Sequence, residues 1–329
     1  MCIVLWTTAC ADQGFPLILL SNRDEFLRRP TQPAGPWKSS DDGVYGGRDL
    51  ARPENGTWLG ITRSGRFAAL TNVREANSVA AVSTLSRGAV VSSFLASPEA
   101  DFESSWMDRL ETDHEHIHAE ADLDLDQVGG FSMLCGHFVR TPERKVRVGT
   151  LGIISNRARA GQKHANTVDN LNPALGESHG LSNSTFAEPW PKVVTGKELL
   201  DALVKRVHDG SLNEQGVIDN AFEILSHDSL TALTAGQPPE SKIGLLKMSV
   251  FIPIFDTGTQ LQLNNQPNAV WGGCSPAPEP SLYGTQKQSV IIVHESGQVR
   301  FIEKTKFDWL QGQVPAEDNT VDIVFNLDI

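Results

Sequence analysis

The first twenty residues carry two short apolar runs, and a chain that opens this way must begin its fold in a sheet. Cys2-Ile3-Val4-Leu5-Trp6 starts at the very terminus, and Phe15-Pro16-Leu17-Ile18-Leu19-Leu20 follows it. Asp12-Gln13-Gly14 between them is turn chemistry, so the pair reads as two strands. The pattern recurs. Thr57 to Thr62 and Arg66 to Asn72 flank Ser64-Gly65, a hairpin signal, after a proline-rich loop carrying Pro30, Pro33 and Pro36. Strands are expected again at Phe131 to Phe138 and Lys145 to Gly149. A last hairpin joins Ser289–His294 to Gln298–Glu303 through Glu295-Ser296-Gly297, and Val321–Phe325 adds a closing strand.

Helical spacing occupies the middle. Residues 88 to 96 read as a helix, as do 190 to 208 and 212 to 226, with Leu199, Leu200, Leu203, Val204 and Val207 forming one apolar stripe. Residues 97 to 128 form an acidic stretch, expected as a peripheral insertion, and Asn264 to Pro280 is a loop rich in Pro, Asn and Gly. Strand pairs toward both ends with helices between them predict an α+β fold of packed layers in one domain, 1–329. Burial of about three-quarters of the extended chain's surface is expected at this size, which supports a core without disulfides.

Charge and cysteine usage exclude several classes. The chain has 28 Lys and Arg against 40 Asp and Glu, a formal net charge of −12. No basic patch tracks a phosphate backbone, so no nucleic-acid partner is expected. The longest apolar run, Phe15–Leu20, spans six residues, against the ~20 that a membrane helix needs. No transmembrane segment or secretory signal is expected. Cys2, Cys10, Cys135 and Cys274 are scattered with no CxxC, which points to a reducing compartment and to neither a disulfide framework nor a zinc site. His114, His116 and His118 beside Asp122, Asp124 and Asp126 raise the question of a divalent cation, but a solvated acidic insertion is the expectation and no metal is assigned.

Cys2 is the residue with the most chemistry in it. Methionine before a small side chain is normally removed, which would leave Cys2 with a free α-amine beside its thiol. Those groups titrate near about 8 and about 8.5, so one residue supplies nucleophile and base. The competing reading is a small core hydrophobe that starts a strand.

Met1-Cys2-Ile3 followed by Ser21-Asn22-Arg23-Asp24-Glu25-Phe26 resembles the NRDE family, also called the transport and Golgi organisation protein 2 family. The match continues in order through Gly56-Thr57-Trp58-Leu59-Gly60, Ala69-Leu70-Thr71-Asn72, Ser86-Arg87-Gly88 and Gly130-Phe131. Gly180-Leu181-Ser182-Asn183, Pro189-Trp190-Pro191-Lys192 and Tyr283-Gly284-Thr285 complete it. The resemblance implies a four-layer αββα sandwich of N-terminal nucleophile hydrolase type, akin to the penicillin V acylase and bile-salt hydrolase group. It further implies Cys2 as nucleophile, with its own amine as base, and Arg23 and Asp24 poising thiol and amine. Asn72 would offer an amide N–H to an oxyanion, and Asn183 would orient the tetrahedral intermediate or the α-amine. Asn22, Trp58 and Gln286 are the implied ligand contacts.

Each of these residues also has a plainer use. Arg23 and Asp24 would serve equally as a surface ion pair, and Asn72 as a turn residue satisfying backbone. There is one departure from the pattern: after Gly284-Thr285 the family usually carries Arg, and this chain has Gln286. A missing guanidinium there weakens the hydrolase reading, and Lys287 offers a point charge without a fork.

Two functions follow from the resemblance. The leading one is a role in Golgi organisation, secretion and intracellular haem or acyl-lipid handling, through a small-molecule ligand pocket. The alternative is a cysteine-dependent amidohydrolase that cleaves the C–N bond of an acyl amide, so whether the chain is an enzyme stays open. No cofactor is implied, and Cys274-Ser275-Pro276 lacks the Cys-Pro dipeptide associated with haem sensing. The implied location is cytoplasmic, with association to Golgi or mitochondria and no secretion.

Overall fold

The structure, a computed structural model, describes residues 2–38, 43–74, 85–96, 128–157, 167–237, 240–257, 282–308, 312–315 and 319–329. The acidic stretch with its three histidines and aspartates lies outside the described residues, as do Met1, Cys274 and the loop Asn264–Pro280.

Strands β1 (Ile3–Thr7) and β2 (Leu17–Phe26) are neighbours in the first of two seven-stranded sheets. Both faces of these strands are covered, which is why their sequences are continuous apolar runs rather than alternating ones. The second sheet contains β3 (Thr31–Pro36), β4 (Val44–Asp49), β5 (Leu59–Thr62), β6 (Arg66–Asn72), β7 (Phe131–Arg140), β8 (Val146–Ser155) and β9 (Thr167–Asn170), in chain order. Helix α1 (Arg87–Ala96) falls between β6 and β7. Then come β10 (Ser178–Leu181), α2 (Pro191–His208), α3 (Glu214–Leu225), β11 (Phe255–Asp256), β12 (Leu282–Val293), β13 (Gln298–Thr305) and β14 (Thr320–Asn326). The first sheet runs β10-β1-β2-β12-β13-β14, with β11 pairing β12 off that path. All pairings within the two sheets are antiparallel.

Three apolar layers hold the molecule together. Between the sheets, Val4, Trp6, Leu19, Ile291 and Phe301 meet Ile61, Phe67, Leu134, Phe138 and Ile153. On its outer face the first sheet turns Ile3, Leu5, Ile18, Leu20 and Val290 to Leu200, Leu203 and Val207 of α2 and to Val217 and Phe222 of α3. Outside the second sheet, Ala68, Leu70 and Met133 pack on Val90, Val91 and Phe94 of α1. The result is the four-layer αββα sandwich, an α+β fold. Each buried Leu, Ile or Phe contributes roughly 1.5–3 kcal/mol.

The hairpin expected at Ser64-Gly65 joins β5 to β6, and Gly65 adopts φ 94°, a conformation that favours glycine. One expectation fails. The proline-bearing stretch expected as a loop is strand β3, where the register slips between Gln32 and Gly35 around Pro33. Proline is tolerated there because β3 is an edge strand and Pro33 sits at an irregularity, so no ladder donor is missed. Among the described residues no helix is long and apolar enough to cross a membrane.

Candidate functional site

The site follows from register. β1 pairs β2 with Ile3 opposite Asn22, and pairs β10 with Val4 opposite Leu181. Extending each ladder toward the terminus sets Cys2 across from Arg23 on one side and Asn183 on the other. Residues opposed in this way have Cβ atoms about 4.5–5.5 Å apart. Val4 and Trp6 point into the layer between the sheets, so by two-residue alternation Cys2 points there too. The Ser182 hydroxyl donates to the Cys2 carbonyl at 2.7 Å and holds the strand end in place.

Arg23 shares that inner face and spans to the second sheet. It is 4% exposed, and its Nη2 lies 2.8 Å from Asp49 Oδ2 at the end of β4. Its Nη1 donates to Gln286 Oε1, and its guanidinium carbon sits 4.7 Å from the Trp58 ring centroid. Asp49 is shared with Arg29, whose Nε is 2.7 Å away. Burial works against the Asp49 carboxylate, but Arg29 and Arg23 together hold its pKa below the usual carboxylate range.

Gln286 explains itself in this setting. Its Nε2 donates to the carbonyls of Leu27 and Arg29, each at 3.2 Å, while its Oε1 accepts from Arg23. An amide can accept and donate at once; a guanidinium only donates. Lys287 does not supply the missing fork. The register shift between Thr285 and Lys287 turns it inward onto Glu303 Oε1 at 3.1 Å and Thr305 Oγ1 at 2.9 Å, and both charges are enclosed.

Asn183 reaches the second sheet. Its Nδ2 donates to the Asn72 carbonyl at 2.6 Å, and Arg74 N donates to the Asn183 carbonyl at 3.0 Å. Thr71 Oγ1 donates to Ser182 O at 2.6 Å in the same seam. Asn183 Oδ1 is buried and accepts no hydrogen bond among the described residues. The structure therefore gathers Cys2, Arg23, Asn72, Asn183, Trp58 and Gln286 at one end of the sandwich.

Two expected residues go elsewhere. Asn22 lies on the outer face, where its Nδ2 donates to the carbonyls of Leu225 and Val250 at 2.8 and 2.9 Å, tying α3 to the sheet. The Asp24 carboxylate also points outward, to Lys192 Nζ at 3.3 Å and Thr285 Oγ1 at 2.7 Å. Asp24 follows Arg23 on β2, so its backbone runs beside Cys2 in the extended ladder. Burial pushes the Cys2 thiol pKa up. The terminal ammonium pulls it down, the Asp24 charge pushes it up, and Arg23 with the Asp24 N–H pulls it down again.

Asp49, Ser182 and Lys192 were not singled out for the site from sequence. Ser182 and Lys192 both stand within matched motifs, without a role assigned to them there. Asp49 carries no local signal, because its role depends on the second sheet facing the first.

The architecture is a four-layer αββα sandwich with a cysteine directly before an inner strand. The chain belongs to the Transport and Golgi organisation 2 family, whose sequence profile matches residues 1–308. It is 28% identical over 318 residues to an uncharacterised protein of Saccharomyces cerevisiae, covering 93% of this chain and 92% of that one. It is 26% identical over 310 residues to the Transport and Golgi organization protein 2 homolog of Bos taurus, covering 93% of each. The Drosophila melanogaster Transport and Golgi organization protein 2 is 27% identical over 325 residues, covering 93% of this chain and 92% of that one. Among solved structures, the chain is similar to a Caenorhabditis elegans N-acylethanolamine-hydrolyzing acid amidase ortholog at TM-score 0.38 and 14% identity, over 69% of this chain and 87% of that one. It is also similar to a mutant conjugated bile acid hydrolase of Clostridium perfringens at TM-score 0.38 and 12% identity, over 100% and 93%.

Proposed function

We propose that the chain serves Golgi organisation, secretion and the intracellular handling of haem or acyl lipids by binding a small molecule at the Cys2 end of the sandwich. Family membership and the names of the relatives support the role. The observation that carries binding over bond cleavage is the commitment of Arg23. Its guanidinium is engaged by Asp49, Gln286 and Trp58, and burial favours the protonated form of the neighbouring thiol. A cationic side chain already neutralised does little to generate a thiolate. Titration with haemin and with a dansyl-labelled long-chain acyl amide, for the unsubstituted protein and Cys2→Ala, tests this. Micromolar binding that ignores the substitution is expected; no binding of either probe at micromolar concentration removes the reading.

A second reading has its own observation. Cys2 stands in register between Arg23 and Asn183, and Asn183 Oδ1 is a buried acceptor without a donor among the described residues. Once Met1 is removed, the freed α-amine of Cys2 is a donor of the right kind for that oxygen. The thiol sulfur would then bond to an acyl carbonyl carbon, the amine would leave with the thiol proton, and water would cleave the thioester to a carboxylic acid. Intact mass before and after brief alkylation near pH 7 separates the readings. Loss of Met1 with Cys2 labelled ahead of Cys10 favours catalysis, because burial pushes the Cys10 pKa up to about 11 and makes it a slow reference. Retained Met1 removes the amine and with it the hydrolase.

A further inference from the structure

Two motifs have no role in the site as built so far: Pro189-Trp190-Pro191-Lys192 and Tyr283-Gly284-Thr285. They lie far apart in sequence, yet both converge on Asp24. Pro191 opens α2, so Lys192 falls in the helix's first turn, where its side chain drops onto the outer face of the first sheet. Its Nζ lies 3.3 Å from Asp24 Oδ2, and neither side chain has any exposed surface. Thr285, paired with Asp24 across the β2–β12 ladder, donates its hydroxyl to Oδ1 at 2.7 Å. The Tyr283 hydroxyl donates to the Asp24 carbonyl at 2.9 Å. Gly284 is small for a reason: a Cβ there would stand 3.1 Å from the Ile252 carbonyl, in the segment whose backbone N–H the Thr285 hydroxyl accepts. Three contacts thus hold one residue from the face opposite Cys2, and that residue directly follows Arg23, which the ladder sets across from Cys2.

We propose that Lys192, with Thr285 and Tyr283, is a positioning residue for Cys2: it fixes Asp24 from the far side of the sheet, compensating its negative charge there and holding the stretch of β2 that stands opposite Cys2. The proposal rests on the reading of Cys2 as the centre of the site. The charged groups acting on the thiol are the terminal ammonium, Asp24 and Arg23; Asp49, on the facing sheet, reaches it through Arg23. Lys192 faces Asp24 from the outer side of the sheet, so its influence passes through Asp24. Loss of the lysine removes the cation that faces the Asp24 carboxylate and loosens the strand that holds Arg23 opposite Cys2, and both changes disfavour the thiolate.

The test is the pH profile of Cys2 alkylation by iodoacetamide from about pH 6 to 10 on the full chain, with the labelled site mapped by mass. Lys192→Met is expected to raise the midpoint by half a unit or more and to slow labelling at pH 7.5 at least threefold. Asp24→Asn is expected to lower the midpoint, and Lys192→Met is expected to add nothing further in that background. Thr285→Val moves the profile upward by less, and Thr285→Ser restores it; this pair decides the matter if Lys192→Met does not fold. An unmoved midpoint in folded Lys192→Met, or the same upward shift when Asp24 is already Asn, overturns the proposal. The shift is readable whether Cys2 is fast or slow. A Cys2 no faster than Cys10 in the unsubstituted protein counts against the Cys2 site, and an unmoved midpoint counts against the Lys192 role.

Discussion

Arg23 and Asp24 are adjacent in sequence and occupy two different environments. On the inner face, Arg23 makes an ion pair across the sandwich to an Asp49 side chain that is 18% exposed and has a second cation in Arg29. On the outer face, Asp24 pairs with Lys192, and both side chains are wholly enclosed. Alternation along a strand is the cause: neighbours point to opposite faces, so a consecutive Arg-Asp is never a side-chain pair with itself. The difference teaches where a lost partner costs most. Removing Arg23 leaves Asp49 with another cation and some water, whereas removing Lys192 leaves the Asp24 charge shut away from solvent.

The largest expected effect breaks the outer pair. Lys192→Met should lower unfolding free energy by about 3–5 kcal/mol, the usual result of taking one member from a buried ion pair. Arg23→Met should cost less, about 1–3 kcal/mol, since Asp49 keeps Arg29 at 2.7 Å. Urea midpoints at one pH compare the two directly. Equal losses would mean that enclosure does not distinguish the faces.

Much of this fold is legible in the chain itself. Strands β1, β2, β5, β6 and β13 and helices α1, α2 and α3 carry their own period and their own turn residues, and they lie close to where those signals set them. β3 does not, because its prolines read as loop while its edge position permits them in a strand. In the site, motif matching names Cys2, Arg23, Asn72 and Asn183, which the two ladders and the seam between the sheets bring together. It also names Asn22 and the Asp24 carboxylate, which face the helices. Strand parity carries that distinction: Asn22 and Asp24 share the face of Ile18 and Leu20, and Arg23 shares the face of Leu17 and Leu19. Asp49 needs the second sheet in place, since nothing local marks it.

A smaller effect sharpens the inner side through pH. The Asp49 carboxyl is held below its ordinary range, so in the folded state it binds its proton less readily than in the unfolded chain. Stability from this group is therefore fully present above the unfolded pKa of about 3.9 and is lost as pH falls through the lower folded value. Asp49→Asn should accordingly lie below the unsubstituted protein in Tm at about pH 6, and the gap should narrow as pH drops below about 4. A gap that stays constant from about pH 6 to about pH 2.5 would assign the Asp49 contribution to shape and hydrogen bonding rather than to charge.

The smallest effect tests whether register alone holds Cys2 between its neighbours. Ser182 Oγ donates to the Cys2 carbonyl at 2.7 Å, just before the first residue of β1, and its own carbonyl accepts from Thr71 of the facing sheet. Ser182→Ala removes the first contact and leaves the second, in which Ser182 takes part through its backbone. A single neutral hydrogen bond is worth about 0.5–1.5 kcal/mol, so global stability should fall by no more than that. Hydrogen exchange should respond locally, with faster exchange at Ile3 and Val4 and little change in β12 or β13. If exchange at Ile3 is unaltered, the ladders on either side fix the strand end without help, and Arg23 and Asn183 keep Cys2 in place through register alone.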